Sequence, residues 1–215
     1  MRRVSDTGIV RNYCQNNVGG VFDLNYLSKH NFSDIPNVNL RKIVTRFIDQ
    51  GILRQVSKGV YLIGESDMSD EDRIIKHYLK DERGIPTGEY LLYTLGIVEE
   101  EPIEKTIKTN LSVGNKKIGN IQIIESHSSF YEVIGARKLI TVLEILTMMN
   151  EIDSTKVLEV SNLIEKYLLD YRDSSFEAHV NDEYSRSVYL RLASILDSMN
   201  KPHNVMGIYV SKTQV

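Results

Sequence analysis

Asn39, Lys42 and Arg46 recur at steps of three and four residues, so on an α-helix they share one face. Their chemistry suits the edges of nucleobases. An arginine guanidinium can bind guanine through two parallel hydrogen bonds, and an asparagine amide can do the same to adenine. Both need a rigid helix to set their reach. Arg41 falls to the side of that face, where it suits a phosphate, and Thr45 suits a thymine methyl group or a phosphate. Farther along, Lys58 sits at the tip of an expected hairpin, with Arg54 on the strand behind it. These two suit the sugar–phosphate backbone or the minor groove.

The elements that must position these side chains follow from apolar spacing and punctuation. Leu40, Ile43, Val44, Phe47 and Ile48 form an apolar stripe opposite the polar face. Asn37 is the expected N-cap of this helix, and Gly51 its stop. Ile52 to Val56 and Val60 to Ile63 are β-rich runs joined by Ser57-Lys58-Gly59. Upstream, Ser5 to Asn17 reads as a helix capped by Ser5 or Asp6, with Ile9, Val10, Tyr13 and Cys14 on one side. Val21-Phe22 is a strand stub expected to pair with the later hairpin. Asp23 caps a brief helix from Leu24 to His30, and Pro36 closes the turn that follows. The order helix, strand, helix, turn, helix, hairpin within residues 1–64 is that of a winged helix-turn-helix, whose recognition helix enters the DNA major groove.

The polar stretch Gly64 to Ser69 reads as a linker to a second module, residues 69–215. Ser69 caps an expected helix from Asp70 to Asp81, and Thr87 to Leu95 reads as a shorter one. Ile103 to Leu111 and Lys117 to Glu125 read as two strands of one hairpin, turned at Val113-Gly114-Asn115. Three amphipathic helices follow, with stripes along Ala136–Met149, Val157–Tyr171 and Val188–Met199. Asp173 to Glu183 is polar and expected as a loop, and Val205 to Val210 as a final strand. The tyrosines at 167, 171, 184 and 189 fall at helical spacing and read mainly as core residues with hydrated hydroxyls.

Other chemistry finds little support. The five histidines are far apart, and no His-x-x-x-His pair marks a zinc site. Cys14 has no histidine nearby and reads as a packed helix residue. Glu125-Ser126-His127-Ser128-Ser129 places serine beside histidine, yet implies neither an orienting group nor oxyanion donors. Asp70-Glu71-Asp72 complements a helix N-terminus more simply than it binds a metal. The expectation is therefore no enzyme, no cofactor and no metal. One cysteine and no secretory pattern suggest a cytoplasmic, reducing compartment, and no run is long and apolar enough to span a membrane.

The net charge of −3 hides an asymmetry. Residues 1–63 hold nine Lys/Arg against four Asp/Glu, leaving seventeen against twenty-five in residues 64–215. A basic first module on an acidic remainder suggests that the first alone meets a polyanion.

Two stretches resemble a known family, the AbiEi-like antitoxins of bacterial abortive-infection and type IV toxin–antitoxin systems. One is Gly51-Ile52-Leu53-Arg54-Gln55-Val56-Ser57-Lys58-Gly59-Val60-Tyr61. The other begins at Pro86-Thr87-Gly88-Glu89-Tyr90-Leu91-Leu92, continues through Leu95-Gly96-Ile97, Glu101-Pro102, Ile107-Lys108-Thr109-Asn110 and Gly119-Asn120-Ile121, and ends at Leu143-Glu144-Ile145-Leu146. The resemblance implies a DNA-binding transcriptional repressor that acts on its own promoter and opposes a nucleotidyltransferase-like toxin through its C-terminal module. The expected partners are double-stranded DNA, at promoter or operator repeats, and a toxin protein. The residues alone leave two alternatives open: an interaction adaptor on a winged helix that does not bind DNA, and a ligand-responsive repressor without a toxin. They also leave monomer and dimer open. The expected fold is α+β, an N-terminal winged helix-turn-helix followed by a mainly helical C-terminal module with a small antiparallel hairpin sheet.

Overall fold

Capping side chains set the first elements locally. In the computed structural model, which describes residues 5–127, 135–179 and 183–213, the Ser5 hydroxyl accepts the Gly8 N–H at 3.2 Å and starts α1 (Asp6–Asn16). Asp23 ends the strand β1 (Val21–Asp23) and accepts the Tyr26 N–H at 3.2 Å, starting α2 (Leu24–His30). A turn leads into α3 (Asn37–Asp49), then β2 (Leu53–Ser57) and β3 (Val60–Ile63). The three strands form an antiparallel sheet in the order β1-β3-β2, with Val21 opposite Leu62 and Leu53 opposite Ile63.

One cap differs from expectation. Pro36, not Asn37, holds the cap position of α3, and Asn37 is the first helical residue. The Pro36 carbonyl takes the Asn39 and Leu40 N–H groups at 2.8 and 3.0 Å, so the helix starts without a side-chain cap.

The second half is mixed α+β. α4 (Asp70–Leu79) starts at Ser69, whose hydroxyl accepts the Asp72 N–H at 3.1 Å and donates to the Asp72 carboxylate at 2.6 Å. After a 3-10 turn at Lys80–Glu82 come β4 (Gly84–Thr87), α5 (Glu89–Thr94), β5 (Lys105–Thr109), β6 (Lys116–Ile118) and β7 (Ile121–Glu125). Thr87 thus belongs to a strand rather than opening a helix. That strand is short and contains Pro86, which fits its edge position in the sheet order β4-β5-β7-β6.

The expected hairpin is also rearranged. β7 pairs with β6 antiparallel, but β5 lies on its other side and runs parallel to it, Ile107 opposite Ile123. Residues 110–120 therefore act as a crossover that carries β6 on the far edge. Among the described residues, the antiparallel pairs of this sheet are instead β4–β5 and β6–β7.

The remainder is helical: α6 (Ala136–Thr147), α7 (Val157–Leu168), α8 (Asp173–Glu177), α9 (Arg186–Ser198) and α10 (Val205–Thr213). Two expectations fail here. The polar stretch from Asp173 contains a helical turn, anchored by the fully buried Phe176, which packs edge-on to Tyr189 at 5.4 Å. Residues 180–182 of that stretch lie outside the described residues, as do Ser128 and Ser129. Val205 to Val210 is helix, not strand. Tyr209 meets the Tyr189 ring at 5.0 Å, so packing on α9 overrides the β-rich composition.

The apolar core beneath the first sheet continues past residue 64. Val10, Phe22, Leu40, Phe47 and Leu62 share one cluster with Ile74, Tyr78, Ile107 and Ile123. A second cluster, with Leu91, Leu143, Ile164, Tyr189 and Val205, fills the helical end. Arg73 fastens α4 across the polar stretch. Its guanidinium donates to the carbonyls of Gly19 at 2.9 Å, Ile63 at 2.8 Å and Gly64 at 3.0 Å. Asp23 adds a second tie. Its Oδ2 accepts the Tyr78 hydroxyl at 2.8 Å and the Lys116 ammonium at 2.5 Å.

His77 lies beside this joint, edge-on to Tyr78 at 4.8 Å. Burial pushes its imidazole down to about 4, against about 6.5 in an unfolded chain. The native ring stays neutral as the pH falls through 6.5, while the unfolded chain takes up a proton there. Stability is therefore full above about pH 6.5 and is lost as the pH drops toward 4, by up to about 3 kcal/mol. Urea unfolding near pH 7 and near pH 4.5 should register that loss, and His77→Gln should remove it. The same pH dependence in both proteins would contradict a neutral buried ring.

Candidate nucleic-acid interface

The helix α3 separates its residues cleanly by face. Leu40, Ile43, Val44 and Phe47 are buried, and each contributes about 1.5–3 kcal/mol relative to exposure. Asn37, Val38, Asn39, Arg41, Lys42, Thr45 and Arg46 are exposed. Among the described residues, no hydrogen bond or ion pair engages the side chains of Asn39, Lys42 or Arg46. The Thr45 hydroxyl donates back to the Arg41 carbonyl at 3.1 Å, which leaves its methyl group free to face outward.

The C-terminal end of α3 is fixed. At its C-terminus the Gly51 N–H reaches the Ile48 carbonyl at 2.9 Å and the Ile52 N–H reaches the Phe47 carbonyl at 2.9 Å. This paired closure needs a left-handed residue, and Gly51 supplies it at φ +70°. From α1, Arg11 donates to the Gln50 side chain at 2.8 Å and lies over the Phe47 ring at 4.9 Å, clamping α3 from behind. Arg11 adds to the basic first segment in sequence, yet its role here is packing.

The hairpin β2–β3 turns at Lys58 and Gly59, with Gly59 at φ +78°. Lys58 is exposed at the tip. The Gly59 carbonyl accepts the Leu24 N–H at 2.9 Å, so the tip is tied to the start of α2. On its outer side the Ser57 hydroxyl donates to the Lys117 carbonyl at 3.3 Å, which sets β6 beside the hairpin.

Arg54 is placed differently from the others. It is exposed, but its guanidinium binds Asp70 of α4 at 2.5 Å. That bond holds the Asp70 carboxyl below its usual range and the Arg54 guanidinium above its own. Of the residues that the sequence singles out, Asn39, Arg41, Lys42, Thr45 and Arg46 share one helix, Lys58 stands at the hairpin tip, and Arg54 is engaged by an acid of the second half.

The remaining sequence candidates are accounted for by packing. Cys14 is buried, and burial pushes its thiol up to about 11. The acids of α4 are each engaged: Asp70 with Arg54, Glu71 with Lys105 and Asp72 with Ser69. Ser126 is buried, and its hydroxyl donates to the Glu183 carboxylate at 3.2 Å. His127 is exposed, and its backbone N–H, not its ring, reaches Glu183, at 3.2 Å.

A buried polar cluster joins residues far apart in sequence. The Lys108 ammonium lies 2.6 Å from Glu144 and 3.4 Å from Glu183. It also sits 4.5 Å from the centre of the Tyr184 ring. Glu144 accepts the Tyr184 hydroxyl at 2.7 Å and the Thr87 hydroxyl. Burial, then the Glu144 charge, pushes the Tyr184 hydroxyl well above its usual range. The cluster pins β4 and β5 to α6 and to the segment before α9. Its only sequence trace is a lysine between two residues that pack inward, Ile107 and Thr109.

No family model matches the chain, and no curated protein matches it.

Proposed function

We propose that residues 1–64 form a winged helix-turn-helix that binds double-stranded DNA, with α3 as recognition helix and β2–β3 as wing. Asn39, Lys42 and Arg46 read base edges, while Arg41 and Lys58 meet phosphates and Thr45 a methyl group or phosphate. The observation that carries this reading is the exposed face of α3. It presents Asn39 and three cations on a helix closed at its C-terminus, and the single acid of that helix, Asp49, lies at its C-terminal end. A rigid helix with such a face fits a major groove, where amide and guanidinium groups discriminate bases. The concentration of positive charge in residues 1–63 supports it further.

On this reading the chain is a transcriptional repressor. Its resemblance to AbiEi-like antitoxins extends the proposal: the acidic second half opposes a nucleotidyltransferase-like toxin. Co-expression of the full chain with the product of an adjacent nucleotidyltransferase-like reading frame tests that half. A stable complex and relief of toxicity are expected, and neither would occur if the chain were a repressor alone.

The Arg54–Asp70 pair gives a sharper test of the DNA half. Asp70→Asn frees the guanidinium while Ser69 still caps α4. Arg54 can then neutralise one more phosphate, so the log–log salt slope of DNA binding should steepen by about one. An unchanged slope would remove Arg54 from the interface.

A further inference from the structure

A cleft of about 400 Å³ opens where the end of α1 and the start of β1 face α4. Its charged lining is entirely cationic: Arg73, Lys76 and Lys80, with no Asp or Glu among the described residues that line it. That is the reverse of the charge balance of residues 64–215, where acids exceed bases.

Arg73 gives the cleft its character. It is 4% exposed, and its four hydrogen bonds all go to neutral backbone carbonyls, those of Gly19, Gly20, Ile63 and Gly64, at 2.8–3.4 Å. Buried charges are ordinarily balanced by an opposite charge. Asp70 acts on Arg73 through space, but no carboxylate among the described residues bonds it. Asp70 binds Arg54 at 2.5 Å, and Asp23 binds Lys116 at 2.5 Å and Tyr78 at 2.8 Å. Among the described residues, the exposed Lys76 has no ion-pair partner and Lys80 has only Asp81, at 3.8 Å. In the wall beside Lys76, His77 Nε2 is enclosed and has no hydrogen-bond partner among the described residues. Asn16 adds an exposed amide at the rim.

We infer that this cleft binds a small diphosphate-class anion, either pyrophosphate or the diphosphate of a nucleotide, held by Arg73, Lys76 and Lys80. Three cations match two phosphate groups better than one carboxylate, and the volume falls within the range of small-ligand sites. Such an anion would bridge α1 and β1 to α4 at the joint that Arg73 makes. This site uses no residue of the α3 face, so it stands or falls independently of DNA binding.

The test is an amide NMR titration of the full chain with sodium pyrophosphate, and separately with ADP, at constant ionic strength. Saturable shifts at Gly19, Gly20, Lys76 and His77 are expected, with half-saturation below about 1 mM. Lys76→Glu, a change at an exposed position, should weaken binding at least about tenfold while the rest of the spectrum is unmoved, and Lys76→Arg should retain it. ADP binding tighter than pyrophosphate identifies a nucleotide as the source, and equal binding identifies the phosphates alone. The inference is overturned if shifts at these residues are absent or non-saturable with both probes, or if Lys76→Glu binds as the parent does.

Discussion

Alanine at both Lys42 and Arg46 is expected to lower affinity for the preferred DNA duplex by about a hundredfold or more, with thermal stability almost unchanged. Each base-edge contact of this kind is worth about 1–3 kcal/mol, and contacts at separated base pairs add roughly. Both side chains are exposed and make no intramolecular bond among the described residues, so their removal costs the fold little. The two should differ in kind. Arg46→Ala should flatten the preference among sequences selected from a randomised duplex pool, because a bidentate reader is lost. Lys58→Ala, at the hairpin tip, should weaken all duplexes alike. Equal affinity of the double variant and the parent for the selected duplex would remove α3 from the interface.

Lys108→Met should destabilise the protein by about 3–5 kcal/mol, because it leaves the carboxylates of Glu144 and Glu183 without a buried cation between them. For a chain of this size that corresponds to a fall in melting temperature of roughly 10 °C. Glu144 cannot turn to water: it is 5% exposed and held by Tyr184 and Thr87. Pairing Lys108→Met with Glu144→Gln removes one of the stranded charges and should recover part of the loss. A cost below about 1 kcal/mol for Lys108→Met alone would show that the cluster does not fasten the sheet to the helices.

The parts of the fold legible in the sequence are those whose signals are local. Ser5, Asp23 and Ser69 each cap within three residues, and Gly51 closes α3 by its own backbone freedom. The face of α3 follows from a helical period alone. Elements set by distant packing were not legible. The strand β4 is four residues long and includes a proline; it exists because β5 pairs with it. The parallel pairing of β5 with β7 depends on where the crossover takes β6, which alternation cannot encode. α10 carries a strand-like composition but rests on Tyr189. Lys108 and Glu144 are thirty-six positions apart, with nothing between them to announce the pair.

The candidate interface divides in the same way. Asn39, Arg41, Lys42, Thr45 and Arg46 lie on one short helix, so spacing suffices to group them. The hairpin groups Arg54 with them, but its partner Asp70 comes from an element that begins only after the polar stretch. The cationic cleft is less visible still. Lys76 and Lys80 are one helical turn apart, yet Arg73 becomes a buried charge only when Gly19, Gly20, Ile63 and Gly64 gather around it.

If α3 and the hairpin tip form the proposed DNA-binding surface, fluorescence anisotropy of a labelled duplex, chosen from a randomised pool and titrated with the full chain as salt is raised, should show it. Arg41 and Lys58, the two phosphate contacts, predict a log–log slope of roughly −2. Binding that is absent at low salt, or that does not respond to salt, would contradict it.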